Sequence, residues 1–273
     1  MPSERRLAFG GIAELYDQAR PSYPSALVDD VLEFAAAREG DRAVEVGAGT
    51  GKATVLFAQR GLDVLALEPS AEMAEVARRN LTSYPRVAVE QTEFEQWRPD
   101  RRGKLVYSAQ AWHWIAPEVR YLRAREALTD EGALAVFWNR LRWESCSLQG
   151  ELAGVYARLA PDLGPGAGPG PMHPAVGLPR AWWQDWIAEL GAAPGFTGSQ
   201  ARSYSWNQAY SADDYRQLLR THSDHILLED DRREALLDAV AGVIERHGGV
   251  LDLEYECSLA MARSARGYAA EAG

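Results

Sequence analysis

The sequence predicts an α/β protein with a doubly wound, seven-stranded and mostly parallel sheet, a terminal antiparallel hairpin and a helical cap. Three observations support this prediction. Short apolar runs alternate with segments of helical periodicity from residue 24 to residue 139, a glycine-rich turn joins the first strand to its helix, and two further strands follow much later in the chain. Alternating β and α units of this length are typical of parallel sheets with helices on both faces.

The first helix, strand and turn are defined by their apolar spacing. Residues 24–38 carry apolar side chains at helical intervals, and Gly40 follows where a helix commonly ends. The run 43–46 is short and apolar, which predicts a strand. It breaks into a glycine-rich turn before the helix-compatible segment 51–60.

The same alternation continues through the first half of the chain and changes in the second half. The further strands of the first half are predicted at 63–67, 86–90, 104–109 and 132–139, with helices at 71–80 and 117–128. The second half predicts helices at 148–159, 182–190, 211–220 and 230–247, and strands at 200–206 and 250–262. The segment from Pro161 to Pro179 is rich in glycine and proline, so we expect a loop or lid there.

The charge of the chain argues against a nucleic-acid partner. Its 29 basic and 39 acidic residues give a net charge of −10, and such a balance repels phosphate backbones unless a basic stripe overrides it. The basic residues between 98 and 104 share their segment with Asp100 and predict a solvated loop. We therefore expect no binding to nucleic acid.

Cysteine content and hydropathy predict the compartment. Cys146 and Cys257 form no Cys-x-x-Cys pair, and we expect both to be reduced. The N-terminal residues lack the apolar core of a secretory signal, and no apolar run approaches the ~18 residues that a membrane helix needs. We expect a cytoplasmic protein without a membrane partner, and the sequence leaves the oligomeric state open.

The strongest motif is the turn from Glu45 to Gly51, Glu-Val-Gly-Ala-Gly-Thr-Gly. Its glycines let the backbone approach a ligand closely, and the N-terminus of the following helix presents unpaired N–H groups. A dinucleotide fingerprint would need glycine in place of Lys52. A P-loop would need glycine in place of Val46 and a hydroxyl residue in place of Ala53. Both spacings fail.

An acidic residue two positions before a Gly-x-Gly-x-Gly turn resembles motif I of class I methyltransferases that use S-adenosylmethionine. Glu68 ends the second strand, where that family keeps an acidic residue for the two ribose hydroxyls. A carboxylate suits this role because it can accept two hydrogen bonds at once. Glu93 and Phe94 follow the third strand, and the resemblance assigns them to the adenine amine and the adenine ring face.

Two further segments resemble one group within this family. Residues 108–114, Ser-Ala-Gln-Ala-Trp-His-Trp, look like a stretch of the type-11 methyltransferase-domain group, which includes trans-aconitate methyltransferase-like enzymes. Residues 13–21 resemble that group's opening, where a tyrosine and an arginine close over the cofactor. The resemblance implies S-adenosylmethionine as cofactor, bound by Tyr16, Arg20, Glu45, Gly47, Ala48, Gly49, Gly51, Glu68, Pro69, Met73, Glu93, Phe94, Ser108, Ala109, Gln110 and His113.

The resemblance also implies how the chain is organised. A Rossmann-like, cofactor-binding core with N-terminal lid helices is expected at 1–140, followed by a cap or insertion at 141–195. The remaining core strands are expected at 196–273, interrupted by a helical cap insertion at 211–247. We expect the active site between the sheet edge and this cap.

His113 is the predicted general base, because it follows the fourth strand at the edge where open α/β sheets bind ligands. The alternative is a packed ring between its two tryptophan neighbours. Tyr16 is a second candidate base for a phenol or alcohol, whereas a carboxylate acceptor would need no base. His222 and His225 are weaker candidates, and we expect no metal.

The methyl acceptor is predicted to be a small molecule. Trp138 and Trp143 leave the fifth strand, and we expect them to line a pocket for an apolar or planar acceptor. Arg140, Arg142 and Arg20 would instead suit a carboxylate acceptor. The predicted reaction is methylation of a hydroxyl or carboxyl oxygen. A nicotinamide-dependent oxidoreductase and a non-catalytic adenosyl-binding module are the alternatives.

Overall fold

The computed structural model describes residues 12–163 and 182–267. The strands are β1 (Arg42–Val46), β2 (Asp63–Leu67), β3 (Val87–Glu90), β4 (Gly103–Ala109), β5 (Leu128–Leu141), β6 (Phe196–Ser211) and β7 (Val250–Ser264). The α-helices are α1 (Ala13–Ala19), α2 (Ser25–Ala35), α3 (Lys52–Ala58), α4 (Ala71–Asn80), α5 (Pro117–Ala127), α6 (Gln149–Leu159), α7 (Trp182–Ala192), α8 (Ala212–Arg220), α9 (Ser223–Ile226) and α10 (Asp230–Arg246). Residues 164–181, which include most of the predicted loop from Pro161 to Pro179, lie outside the described residues.

The strands form a seven-stranded sheet in the order β3-β2-β1-β4-β5-β7-β6. Strands β3, β2, β1, β4 and β5 run parallel to one another. Strand β7 is antiparallel to both β5 and β6 and lies between them. The predicted doubly wound sheet with a terminal antiparallel hairpin is confirmed.

Helices cover both faces of the sheet because its central strands are apolar on both sides. On one face, Phe57 of α3 stacks on Tyr107 of β4 with ring centroids 4.0 Å apart, in a core cluster that α2 joins. On the other face, Ala124 of α5 packs in a cluster with Val106 and Val136. A sheet buried in this way can present ligand-binding side chains only at its strand ends.

The outer strands are longer than the sequence predicts. Strand β5 begins at Leu128, and β6 spans Phe196–Ser211, against predictions of 132–139 and 200–206. Residues 197–203 are all exposed, so they lack the apolar alternation that marks a half-buried strand. Pairing with β7 extends β6 where its own side chains give no signal.

Helix α7 packs against the sheet and not in the cap, which corrects the expected cap boundary at residue 195. Trp186 and Leu190 of α7 join the core cluster on the sheet, and Trp138 stacks on Trp186 with ring centroids 5.4 Å apart. The apolar stripe of an amphipathic helix can pack on a sheet or on other helices. Helical spacing alone therefore does not predict which partner α7 takes.

The cap consists of helices α6, α8, α9 and α10 and has its own apolar cluster. Leu152 of α6, Leu219 of α8 and Val240 of α10 are fully buried in it. Helix α8 begins after Ser211, whose hydroxyl accepts a hydrogen bond from Asp214 N at 3.1 Å. Helices α8 to α10 connect β6 to β7, so this part of the cap is an insertion into the terminal hairpin. Within residues 12–163 and 182–267, no single helix is both long enough and apolar enough to cross a bilayer.

Candidate active site

A cavity lies at the carboxyl edge of the sheet and is lined by strand ends, by α1 and by the cap. Glu45 on β1, Glu68 after β2 and Ala109 on β4 line it, together with Tyr215 of α8. Open α/β sheets bind their ligands at this edge. The predicted site residues that line the cavity are Tyr16, Arg20, Glu45, Gly47, Ala48, Gly49, Glu68, Pro69, Met73, Phe94, Ala109, Gln110 and His113.

The glycine turn between β1 and α3 forms one wall of the cavity. Gly47 and Gly49 have φ angles of 71° and 58°, a backbone conformation that strains L side chains. The amides of Gly47 and Ala48 donate to Leu67 O at 2.9 and 3.0 Å. These bonds attach the turn to the end of β2 and hold this wall in place.

Glu68 joins the glycine turn to the start of α4. One carboxylate oxygen accepts a hydrogen bond from Gly49 N at 2.8 Å, and the other accepts from Ser70 N at 2.9 Å. The side chain is buried yet lines the cavity. Glu68 therefore holds two backbone segments of the site at the position where the resemblance expects a ribose-binding carboxylate.

Glu45 is a buried carboxyl group with one satisfied oxygen. Its Oε2 accepts hydrogen bonds from Thr54 Oγ1 at 2.5 Å and from Tyr107 OH at 2.9 Å. Its Oε1 is buried and has no hydrogen-bond partner among the described residues. Burial raises the pKa of Glu45 to about 8, although these two hydrogen bonds oppose the shift. Burial therefore keeps Glu45 mainly protonated at neutral pH.

Replacing Glu45 with glutamine should remove part of the pH dependence of stability. The folded protein holds this proton more tightly than the unfolded chain does. The stabilising contribution of Glu45 is thus complete below about pH 4.5 and is lost as the pH rises through about 8. Between about pH 5.5 and about pH 8 the wild type should lose roughly 3 kcal/mol of unfolding free energy from this group. Urea denaturation at the two pH values measures the loss.

The matched control is Glu90→Gln, which changes an exposed carboxyl group on β3. This variant should keep the pH dependence of the wild type, whereas Glu45→Gln should flatten it. Equal pH dependence in the wild type and in Glu45→Gln would assign the effect to other groups.

Three predicted cofactor residues lie outside the cavity lining. Gly51 is the N-cap residue of α3, and its φ angle of 88° lets the glycine turn lead into this helix. The buried Ser108 hydroxyl donates to Val46 O at 2.8 Å, so it joins β4 to β1. The carboxylate of Glu93 accepts a hydrogen bond from Gln96 at 2.8 Å, and Thr92 lines the cavity in its place. The adenine role of Glu93 stays a prediction.

His113 lies in a short 3-10 helix, Trp112–Trp114, beyond the end of β4. The side chain lines the cavity but is exposed, and its ring centroid lies 4.6 Å from that of Trp114. Surrounding protein atoms and, to a smaller extent, the Arg120 guanidinium lower its pKa to about 4. His113 is therefore neutral at physiological pH and a weak base, so its predicted catalytic role stays a prediction.

Helix α1 brings Tyr16 and Arg20 to the cavity. The Arg20 guanidinium lies over the Tyr16 ring, 5.1 Å from its centroid. Arg20 Nε and Nη2 donate to the side chain and the carbonyl of Thr221 at 2.8 and 2.7 Å. This contact ties the N-terminal lid to the cap. Lys52 also lines the cavity, and its Nζ lies 4.0 Å from Asp17 Oδ1.

The expected tryptophan lining is wrong. Trp138 is buried against Trp186 in the sheet core, and Trp143 is buried in the cap cluster. Neither lines the cavity, whereas Trp114 does. Side chains of a strand alternate between the two faces of a sheet. Trp138 and Asn139, which are adjacent on β5, therefore point to opposite faces.

The arginines of β5 and its following loop also differ from expectation. Arg140 Nη2 lies 3.2 Å from Glu256 Oε2, and Arg142 Nη1 lies 3.0 Å from Glu254 Oε1. Both acidic partners belong to β7, the strand paired with β5. Of the three arginines proposed for a carboxylate acceptor, only Arg20 lines the cavity.

Several further residues line the end of the cavity away from the glycine turn, among them Tyr23, Asn139, Tyr215, His222 and Tyr255. Of these, only His222 was considered from the sequence, as a weaker candidate base. Asn139 could have been predicted from the sequence, because it is a polar residue near the carboxyl end of β5. The other four come from separate segments, and the sequence offers no spacing that links them.

His222, Asp224 and His225 form a group that could hold a metal ion, since their potential ligand atoms lie within 4.8 Å of one another. Both ring nitrogens of His225 already have partners, with Asp224 Oδ1 at 2.8 Å and Tyr156 OH at 2.6 Å. A structural role of His225 in the cap accounts for this geometry.

Comparisons with known proteins found similarity to methyltransferases. Residues 43–132 match the family model described as a methyltransferase domain. An uncharacterized methyltransferase of Mycobacterium tuberculosis is 40% identical over 141 residues, which are 50% of this chain and 56% of that protein. A Saccharomyces cerevisiae protein whose name describes an S-adenosylmethionine-dependent methyltransferase is 31% identical over 131 residues, 45% of this chain and 43% of that protein. The chain spans about half the length of the curated relatives it matches.

One solved structure extends the likeness to most of the chain. A candidate type II methyltransferase from Anaeromyxobacter dehalogenans has a TM-score of 0.61 and 20% identity, covering 89% of this chain and 97% of that one. At this identity the likeness shows the fold alone. The resemblance to the trans-aconitate methyltransferase-like group stays a prediction.

Proposed function

We propose, from the class I S-adenosylmethionine-dependent methyltransferase domain that this chain contains, that the protein methylates a small molecule on a hydroxyl or carboxyl oxygen. The observation that supports this proposal is one cavity with two different ends. One end is lined by the glycine turn, Glu68 and Met73, and the other by aromatic side chains such as Tyr215 and Tyr255. A cofactor and an acceptor can thus meet in a shared space.

The residues of the first end fit the cofactor. Once Glu45 has lost its proton, its buried Oε1 can accept a hydrogen bond from a cationic amino group. Glu68 offers a carboxylate at the end of β2, and Phe94 and Met73 offer apolar surfaces. When bound, S-adenosylmethionine supplies an electrophilic methyl group on a positively charged sulfur.

The chain would contribute mainly alignment and exclusion of water. Helix α1 and the cap both line the cavity and meet through the Arg20–Thr221 contact. The methyl transfer is faster when the acceptor oxygen is held in line with the methyl group and water is excluded from the pocket. No covalent intermediate with the protein is required.

The need for a base depends on the acceptor. A carboxylate is already ionised at neutral pH and needs none. A phenol or alcohol loses a proton, and His113 or Tyr16 would receive it or relay it to water. The acidic net charge further supports an acceptor other than nucleic acid, and we propose a cytoplasmic location without a membrane partner.

Calorimetric titration of the purified protein with S-adenosylhomocysteine and with NADH tests the proposal. We expect S-adenosylhomocysteine to bind with an affinity of about 1 μM and NADH not to bind, because Lys52 stands where a dinucleotide turn needs glycine. Binding of NADH alone, or of neither ligand, would overturn the proposed function.

A further inference from the structure

Asn139 lines the end of the cavity away from the glycine turn and carries a buried hydrogen-bond acceptor. Its Nδ2 donates to Ser22 O at 2.8 Å, and a backbone carbonyl can only accept. This bond fixes the orientation of the amide, so Oδ1 is the atom left over. Asn139 is 6% exposed, and its Oδ1 has no hydrogen-bond partner in the described part of the chain. Buried polar atoms are normally paired, so this atom calls for a donor from a ligand.

Gln110 adds a second amide whose orientation is fixed. Its Nε2 donates to Asn139 O at 3.1 Å, which leaves Oε1 as an acceptor. Gln110 lines the cavity and has a φ angle of 61°, a conformation that non-glycine residues seldom adopt. Strained residues of this kind cluster at functional sites. The cavity thus meets two carbonyl-type acceptors at the ends of β4 and β5.

His222 is a buried imidazole that lines the same end of the cavity. It is 1% exposed, and its Nδ1 has no hydrogen-bond partner among the described residues. The unpartnered ring nitrogen therefore offers a hydrogen bond to a ligand at this end of the cavity.

The Arg20 guanidinium, the cationic group at this end, is poorly placed to bind a carboxylate ligand. Arg20 binds carboxylates best through two parallel N–H groups. Its Nε and Nη2 already donate to Thr221. Asn139 Oδ1 would also repel a carboxylate oxygen, because both atoms are acceptors. The polar atoms here suit a neutral ligand that carries hydrogen-bond donors.

The surrounding surface suits a flat ligand. Tyr23, Tyr215 and Tyr255 line the same end of the cavity. Tyrosine rings bury apolar area with little loss of conformational entropy and pack well against planar groups. The donor-bearing ligand is therefore expected to contain a ring.

We propose that the acceptor is a neutral, planar molecule whose hydroxyl or amino group donates a hydrogen bond to Asn139, with His222 as a second polar contact, and that it is not a carboxylate. This inference rests on the proposed methyltransferase function and narrows its acceptor class. It assigns acceptor recognition to residues at the end of β5 and in the cap.

The test compares two probes of equal ring size on protein saturated with S-adenosylhomocysteine. Catechol carries two donor groups, and benzoate carries only acceptors near neutral pH. Ligand-observed NMR titration measures both affinities in the wild type, in His222→Phe and in Asn139→Ala. His247→Phe is the matched control, because His247 is an exposed imidazole outside the cavity lining.

We expect catechol to bind the wild type at least about tenfold more tightly than benzoate, a difference of about 1.4 kcal/mol. Both cavity variants should lose at least that factor for catechol, with unchanged affinity for S-adenosylhomocysteine, and His247→Phe should behave as the wild type. Benzoate binding as tightly as catechol, failure of both probes to bind, or unchanged catechol affinity in both variants would overturn the inference. Failure of S-adenosylhomocysteine itself to bind would instead overturn the proposed function.

Discussion

Replacing Gly49 with valine should weaken the binding of S-adenosylhomocysteine by at least about a hundredfold, or about 2.8 kcal/mol. A Cβ added at Gly49 meets no protein atom within 4 Å, and the residue lines the cavity. The branched side chain would therefore occupy ligand space. The φ angle of 58° adds backbone strain of about 1–2 kcal/mol, which lowers stability without preventing folding. Calorimetric titration measures the affinity.

The matched control is Gly40→Val, at another glycine with positive φ. Gly40 has a φ angle of 84°, no protein atom within 4 Å of an added Cβ, and no place in the cavity lining. It should lose a similar amount of stability and keep the affinity of the wild type. Unchanged affinity in Gly49→Val would show that the cofactor does not lie against the turn.

Replacing Gly47 with alanine should lower the free energy of unfolding by about 3 kcal/mol or more. An added Cβ would lie 2.3 Å from Ala111 Cβ, well inside van der Waals contact. Overpacking of a rigid site costs about 1–3 kcal/mol, and the φ angle of 71° adds about 1–2 kcal/mol. Urea denaturation measures the loss.

A second substitution separates the clash from the backbone strain. Ala111→Gly removes the clashing methyl group, and the next nearest atom to the added Cβ is Ala111 Cα at 3.8 Å. The double variant Gly47→Ala/Ala111→Gly should therefore be more stable than Gly47→Ala alone, and a double-mutant cycle gives the size of the coupling. Simple additivity of the two single changes would mean that the contact does not cause the loss.

The order of helices and strands was predictable because buried strands and amphipathic helices leave different patterns of apolar residues in the sequence. Strands such as β1 and β2 are buried on both faces, so they read as short continuous apolar runs between helical segments. Strand β6 lies at the sheet edge with residues 197–203 exposed, and its polar side chains carry no periodic signal. Backbone pairing with β7, which the sequence does not display, decides its length.

The candidate site divides in the same way. The end proposed for the cofactor comes from local motifs, because Glu45, the glycine turn and Glu68 lie at adjacent strand ends of one βαβ unit. The end proposed for the acceptor is assembled by tertiary packing from β5, β7 and the cap. The choice between Trp138 and Asn139 shows the difficulty: adjacent strand residues point to opposite faces, and composition favoured the tryptophan while the cavity is lined by the asparagine.

The insertion of the cap into the terminal hairpin makes it an exchangeable module. Ser211 and Val250 are directly paired across β6 and β7, so residues 212–249 leave the sheet and return to it at neighbouring points. Such closely spaced ends are what allow segments to be replaced without disturbing the host fold. This module carries Tyr215, Leu218 and His222 to the cavity. Under the proposed function, we expect that grafting it between homologues transfers acceptor preference while the glycine turn and the strand register stay as they are.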